Sequence, residues 1–453
     1  AAMLGESGKR ENVLSLIERE TEGNALFMVE VVRTLAEEAG SLQAVGVDSL
    51  PSTVFAGGVQ AILQRRLKRV PGWAQAALKL AAVLGRGIDM TLIRAVAEDG
   101  QFNADAWLTA CANAAVFDAV DGAWRFAHDK LRETLQSGFT ADERRDLHKQ
   151  AARLIEKTYP GDHAYADALV EHYRYGRAPA KMLKHTLIAL DRIVNFTLDL
   201  THAEVLIRQA LPITHNKLGR VHERAALLRF AGDVAERRGK YQESLGWFEQ
   251  SLEAVNDDVA GLIGKSKAYW RVGDYQGAIV PALRSIELAE ASNNPMLIAN
   301  AHANYGTIMI MISDFAAAGK ELQLGLALRR QLGDLRGVAS AYNNLGIIAI
   351  ETGAFAEAST YYQESLRVYR QIGDRSGTAI ALNNCGIAES DQGNYSAARQ
   401  YFSDSLTINR SIHERRASAL NLLNLGSVSL MERQFDESRT YLMEAVEVYR
   451  EIS

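Results

Sequence analysis

The sequence predicts a mainly α protein: an α-solenoid of stacked helical hairpins, preceded by further helices and one small β-hairpin. Three observations carry this. A pattern of small and aromatic residues returns about every 40 residues through the C-terminal half. Apolar residues make up 47% of the 453-residue chain and only 7 residues are Pro, which permits long amphipathic helices. Asp121-Gly122, between Val116–Val120 and Ala123–Ala127, is a strong two-residue hairpin signal. A chain of this length is expected to hold about three units.

In chain order, Glu11 to Ala39 read as helices around TEGNALFMVEVVRTL, broken at Gly23-Asn24. Pro51 to Val70 reads as the next helix. Its basic stretch Gln64–Arg69 is expected to face acids of a neighbouring domain. Trp73–Leu84, Met90–Ala97 and Ala104–Ala115 follow as helices, and then the hairpin at Asp121-Gly122. Helices that end in a small hairpin suggest a winged-helix unit over 51–138. A degenerate hairpin is expected over Lys181–Asn216, within a helical arm spanning 139–218.

The repeat occupies 219–453. GDLRGVASAYNNLGIIAIETGAFAEASTYYQESLRVYRQI begins at Gly333, and GDRSGTAIALNNCGIAESDQGNYSAARQYFSDSLTINRSI begins at Gly373. Further copies start at Asn293 and His413, and looser ones near Gly219 and Glu253, giving six units. A small residue recurs at Gly232, Ser266, Gly306, Gly346, Gly386 and Gly426, where two helices must approach closely. Gly239, Gly273, Gly353 and Gly393 are placed to end the first helix of a hairpin in a left-handed conformation. An aromatic follows two residues on, as at Phe355, and an Ala or Ser three after that, as at Ala358. Phe355, Ala358, Tyr362, Leu366 and Tyr369 share one helical face. Hairpins of this kind cannot bury themselves alone and stack into a right-handed solenoid with a concave inner face.

The inner face holds the candidate partner-binding residues. In the Gly333 unit Tyr342, Leu345, Gly346 and Ala349 face inward to the packing. Asn344 lies about 200° from Tyr342 around a helix of 3.6 residues per turn, and so turns with Ser340, Ile347 and Glu351 toward the concave surface. The same position is Asn in four consecutive repeats: Asn304, Asn344, Asn384 and Asn424. Asn343 and Asn383 add neighbouring amides, and Ile387 and Asp391 repeat Ile347 and Glu351. A ladder of primary amides suits the backbone of an extended peptide. The same ladder could instead bond each repeat to the next and fix the superhelical pitch. The flanking Ser340 and Ile380 are not basic, which argues against capture of an acidic C-terminus and for a neutral or mildly basic segment.

The repeat resembles the tetratricopeptide repeat family in a 40-residue variant, over residues 219–453. In that family the Asn position commonly clamps the backbone of a ligand, and the resemblance implies the same role here.

A second resemblance covers residues 1–200. TEGNALF, then LPSTV, AILQRRLKRVPGWAQAALKLAAVLGRGIDMTLIRAVA, RFAHDKLRETL and RRDLHKQAARLIE look like the tail of a STAND-type signalling ATPase. That family includes bacterial regulators and the NB-ARC ATPases of cell-death and immune receptors. Its order is ATPase core, helical lid, winged helix, helical arm and repeat sensor. The resemblance implies that 1–50 is the remnant of the lid. It also implies that Ala127-His128-Asp129 corresponds to a Met-His-Asp motif, whose His touches the β-phosphate of ADP and holds the resting state. His128 and Asp129 are therefore the candidate cofactor-sensing residues, in concert with an upstream NTPase core. A role for His128 merely in starting the following helix is the competing reading. Gly23-Asn24-Ala25 resembles the lid motif whose Pro contacts adenine, with Ala25 in place of Pro. ADP or ATP is implied for the full-length protein, and an ATP-bound state that oligomerises on activation.

Within the chain no nucleotide cofactor of its own, no metal and no catalytic residue are expected. A phosphate loop needs G-x-x-x-x-G-K-[ST] between strand and helix. GESGKR at Gly5 has the wrong glycine spacing, and GLIGKS at Gly261 falls inside a repeat helix. The chain is therefore not expected to be an enzyme, although its parent protein is. The net charge of −5 with interspersed signs gives no nucleic-acid footprint. The candidate recognition helices MTLIRAVA and ADAWLTACANAA offer one base, Arg94, so DNA binding is not expected. His148 and His172 read as structural. Cys111 and Cys385 are the only cysteines and suggest no disulfide. No apolar run approaches the roughly 20 residues that span a bilayer, and a cytoplasmic setting is expected.

Overall fold

The computed structural model describes Val32 and residues 58–100, 102–197, 199–215 and 220–452. The helices expected over Glu11–Ala39 (Val32 apart), the Gly23-Asn24-Ala25 motif, GESGKR and the start of the Pro51–Val70 helix lie outside the described residues. The chain forms two compact units, divided between Arg192 and Ile193. The division falls inside the stretch 139–218, so the expected arm belongs to both.

The first unit contains α1 (Gly58–Arg69), α2 (Gly72–Leu84), α3 (Met90–Gly100), α4 (Ala104–Asn113), β1 (Phe117–Val120), β2 (Ala123–Phe126), α5 (Asp129–Ser137), α6 (Ala141–Thr158), α7 (Ala166–Tyr175) and α8 (Pro179–Arg192). The hairpin forms where Asp121-Gly122 places it. Val120 pairs with Ala123 and Phe117 with Phe126, and both turn residues take positive φ, 53° and 79°. The segment before α3 joins its outer edge through Ile88 N–H to Trp124 O (2.7 Å) and Phe126 N–H to Arg86 O (2.9 Å). Leu63, Leu78, Ile93, Trp107, Phe126 and Leu131 fill the core between helices and hairpin. The buried Trp107 indole N–H donates to Ala74 O at 3.0 Å, which satisfies the one polar atom of that ring. Helix starts are capped by side chains: Asn103 accepts from Ala106 N–H, and Thr140 from Glu143 N–H. In the Gln64–Arg69 stretch Gln64, Arg65, Lys68 and Arg69 are exposed. Arg66 turns inward, 7% exposed, and donates to Ala115 O at 2.9 Å within its own unit. The carbonyl is available because Ala115 leaves the helix with φ of 54°.

The second unit opens with a π-helical turn, Ile193–Thr197, and α9 (Leu200–Thr214). Six hairpins follow: α10/α11 (Val221–Arg237, Tyr241–Ala254), α12/α13 (Val259–Arg271, Tyr275–Ala291), α14/α15 (Pro295–Met311, Phe315–Leu332), α16/α17 (Leu335–Glu351, Phe355–Gln371), α18/α19 (Arg375–Asp391, Tyr395–Ser411) and α20/α21 (Arg415–Met431, Phe435–Ile452). The close approach at the small residue is steric: a Cβ on Gly346 would lie 2.4 Å from the Tyr362 ring, and one on Gly386 2.6 Å from Phe402. The Ser of the second helix then staples the hairpin. Ser251, Ser365 and Ser405 donate to Ala225, Ala339 and Ala379 carbonyls at 3.0, 2.9 and 2.8 Å. Ala358, Tyr362, Leu366 and Tyr369 are buried as their spacing predicts. Phe355 is 37% exposed, because it is the first residue of its helix and sits at the edge of the core. One core runs continuously from Ala278 to Ala388. Successive first helices touch one another (α12 with α14, α14 with α16, α16 with α18), whereas among the described residues no contact of that extent joins successive second helices. The first helices therefore line the tighter side of the stack. Among the described residues no helix is long and apolar enough to cross a membrane.

Candidate functional site

The inner wall is built from first helices, each offering one side chain per turn. The asparagine ladder lies on it, and its donors run from repeat to repeat. Asn304 Nδ2 donates to Ser266 Oγ at 3.1 Å, and Asn344 Nδ2 to Thr307 Oγ1 at 3.3 Å. Asn384 Nδ2 donates to Asn343 Oδ1 at 2.7 Å, and Asn424 Nδ2 to Asn383 Oδ1 at 2.8 Å. Asn383 Oδ1 also accepts from Asn421 Nδ2 at 3.0 Å. A ladder engaged in this way sets the register between hairpins, with each bond contributing about 1 kcal/mol net. It keeps only part of its capacity for a ligand. Asn304 is 5% exposed and its Oδ1 has no hydrogen-bond partner, while the other ladder residues are half-buried apart from the buried Asn383.

What the wall presents to solvent is different. Ile347 and Ile387 are half-buried, and on first helices α18 and α20 Ile380 (51%) and Leu420 (45%) are exposed. Glu351 and Asp391, one turn beyond, are exposed, and among the described residues neither carries an ion pair.

Sequence reasoning missed the other end of the wall. The residue following the small position is Asp233, Lys267, Thr307, Ile347, Ile387 and Ser427 in the six hairpins. The wall is thus charged at its start and apolar further on. Asp233 makes no hydrogen bond or ion pair among the described residues, and burial pushes its carboxyl up to about 6, with Lys267 offsetting only part of that rise. The signal was available: counting one residue on from each Gly or Ser of the repeat finds it.

His128 caps α5, its Nδ1 accepting from Lys130 N–H at 3.1 Å. That assigns Nδ1 as the unprotonated nitrogen and leaves the proton on Nε2. Asp129 pairs with Arg86 at 3.3 Å. Gly261–Ser266 lies within α12, with no strand or loop to cradle a phosphate. His148 and His172 meet at 3.0 Å between their Nδ1 atoms, in the first unit. Cys111 and Cys385 are buried, and burial pushes both thiols up to about 12. Among the described residues no three His, Cys, Asp or Glu side chains are placed to hold a metal ion.

Residues 297–371 and 337–411 match the family described as Tetratricopeptide repeat. No curated protein matches the chain in sequence. Similar solved structures include a Signal Transduction ATPase with Numerous Domains (STAND) protein with a tetratricopeptide repeat sensor from Pyrococcus horikoshii. It is 12% identical, with 98% of this chain and 73% of that one covered and a TM-score of 0.45. A Rap protein complexed with Competence and Sporulation Factor is 11% identical, over 69% of this chain and 99% of that one, with a TM-score of 0.49. BtubC from P. vanneervenii is 17% identical, over 51% and 92%, with a TM-score of 0.40.

Proposed function

We propose, from the tetratricopeptide array over residues 297–411, that the chain is the regulatory and sensor part of a signalling ATPase. In this reading the wall of first helices holds an extended segment of a partner protein. The observation that carries it is the pairing of apolar Ile347 and Ile387 with carboxylates that have no partner, Asp233, Glu351 and Asp391. Desolvation without a partner makes the Asp233 carboxylate costly, while Glu351 and Asp391 stand exposed and open to a base of the ligand. The segment that fits has apolar side chains toward one end and Lys or Arg toward the other.

The first unit would couple that event to nucleotide. The sequence resemblance supports a winged helix over 51–138, and the cap bond at His128 Nδ1 leaves its Nε2–H as the donor for a phosphate. Partner binding would shift the balance between a closed ADP state and an open ATP state on an upstream core. A constitutive scaffold is the second reading. Two observations favour it: the amide ladder bonds repeat to repeat, and His128 already serves as a helix cap.

The test of the groove is an array of acetylated nonapeptides in which Lys, Gln or Glu is stepped along a Leu/Ser frame. Lys-containing peptides should bind best, and Ile347→Ala with Ile387→Ala should weaken them by at least tenfold. Equal binding of the Glu series would overturn the groove assignment. For the coupling, ADP retention by the full-length protein should fall with His128→Ala, and unchanged retention would leave the scaffold reading.

A further inference from the structure

A cavity of about 360 Å³ lies within the first unit, walled by the end of α2 and by α5, α6 and α7. It is separate from the groove and does not use His128. Two guanidiniums line it, Arg132 from α5 and Arg144 from α6. The Arg132 Nε is buried with no hydrogen-bond partner. Arg144 donates to a backbone carbonyl, Gln136 O, at 2.9 Å. Among the described residues neither guanidinium has a carboxylate partner. The one acid on the wall, Glu171, is held by Arg174 of its own helix at 3.2 Å. Arg132 is half-buried and Arg144 exposed, and no acid of the lining pairs with either charge.

Its floor is the His148–His172 pair, with His148 stacked on Tyr175 at 4.6 Å between ring centres. Burial lowers both rings to about 4, aided by Arg144 at His148. Two neutral rings joined through Nδ1 share a single proton there. The ring that donates keeps a bare Nε2, and the ring that accepts carries Nε2–H. The pair thus adds polarity without adding charge.

The half-buried Arg132 guanidinium, with no acid beside it, is costly. Its planar fork matches the oxygens of a phosphate, and two such forks balance a dianion. A carboxylate would neutralise half of the charge. The volume is at the small end of ligand cavities. We propose that this cavity binds a small phosphate monoester or free phosphate as the dianion, clamped between Arg132 and Arg144 above the His148–His172 pair. Bound there, the dianion ties α5 to α6 and α7.

The experiment titrates the full chain with inorganic phosphate, and in parallel with methyl phosphate and acetate, replacing chloride at constant ionic strength. Binding is read by calorimetry and by the ring resonances of His148 and His172. Saturable phosphate binding with shifts at both rings is expected, with acetate at least tenfold weaker. Arg132→Gln and Arg144→Gln should each weaken phosphate at least tenfold, while Arg153→Gln, which lines a different cavity, should leave it unchanged. Tighter binding of methyl phosphate than phosphate identifies a monoester, and the reverse identifies the free ion. Absence of saturable binding, binding that survives Arg132→Gln with Arg144→Gln, or acetate equal to phosphate overturns the proposal. If a variant fails to fold, the wild-type ring shifts decide alone.

Discussion

At the scale of single residues, position within the repeat matters more than residue type. Asp233 and Ile347 hold the same place in the first and fourth hairpins and have opposite chemistry. The energetic consequence of Asp233 can be tested by pH. Its folded pKa of about 6 lies above the ordinary value of about 3.9 for an unfolded chain. The native state therefore favours the protonated form. Relative stability is full below about pH 4 and is lost as pH rises through 6. Asp233→Asn removes the charge and keeps the shape. It should raise unfolding stability at pH 8 by roughly 2 kcal/mol and leave it unchanged near pH 4. Urea unfolding at both values checks this, and an equal effect at both would refute it. The same variant should weaken Lys-containing peptides in the groove, the stability–function conflict that a ligand site predicts.

At the scale of elements, each first helix ends in a left-handed residue. Where the repeat supplies Gly the cost is nil: Gly239, Gly273, Gly353 and Gly393 take φ between 74° and 89°. Ser313 and Arg433 take φ of 63° and 61° with a side chain attached. Neighbouring hairpins hold them there, because the next helix must start at the same angle to reach the stack. Arg433 is exposed and has no ion pair among the described residues. Arg433→Gly should therefore stabilise the last hairpin by about 1 kcal/mol, measured as a higher urea midpoint at unchanged slope. A fall in midpoint would show that the conformation is not strained.

At the scale of the molecule, the second unit is held by contacts between neighbours in sequence. Each hairpin meets its own partner helix and the next hairpin. An array of that kind is stable in proportion to its length and does not collapse when one end is removed. Deleting residues 413–453 should leave the remaining hairpins folded, with helical circular dichroism reduced in proportion and a lower thermal midpoint. Complete loss of helicity would mean that the stack folds as one indivisible core. The first unit has the opposite construction: Trp107, Phe126 and Leu78 come from separate elements and meet in one core.

The sequence by itself determined the helical hairpins, their period, the close approach at Gly346, and the turn at Asp121-Gly122. These rest on local geometry, on what can fit beside a ring or take a positive φ, and such constraints are written in neighbouring residues. Only the tertiary structure decided what the polar groups do. Whether an amide meets a ligand or the next repeat depends on a partner about 40 residues away, and here Thr307, Asn343 and Asn383 provide it. Arg66 reads as one more surface base and is buried on a carbonyl. Arg132 and Arg144, 12 residues apart in sequence and on different helices, line one cavity because α5 and α6 both pack against α2. Electrostatic and hydrogen-bonding roles depend on which distant groups come within a few ångströms, and that information exists only once the chain has packed.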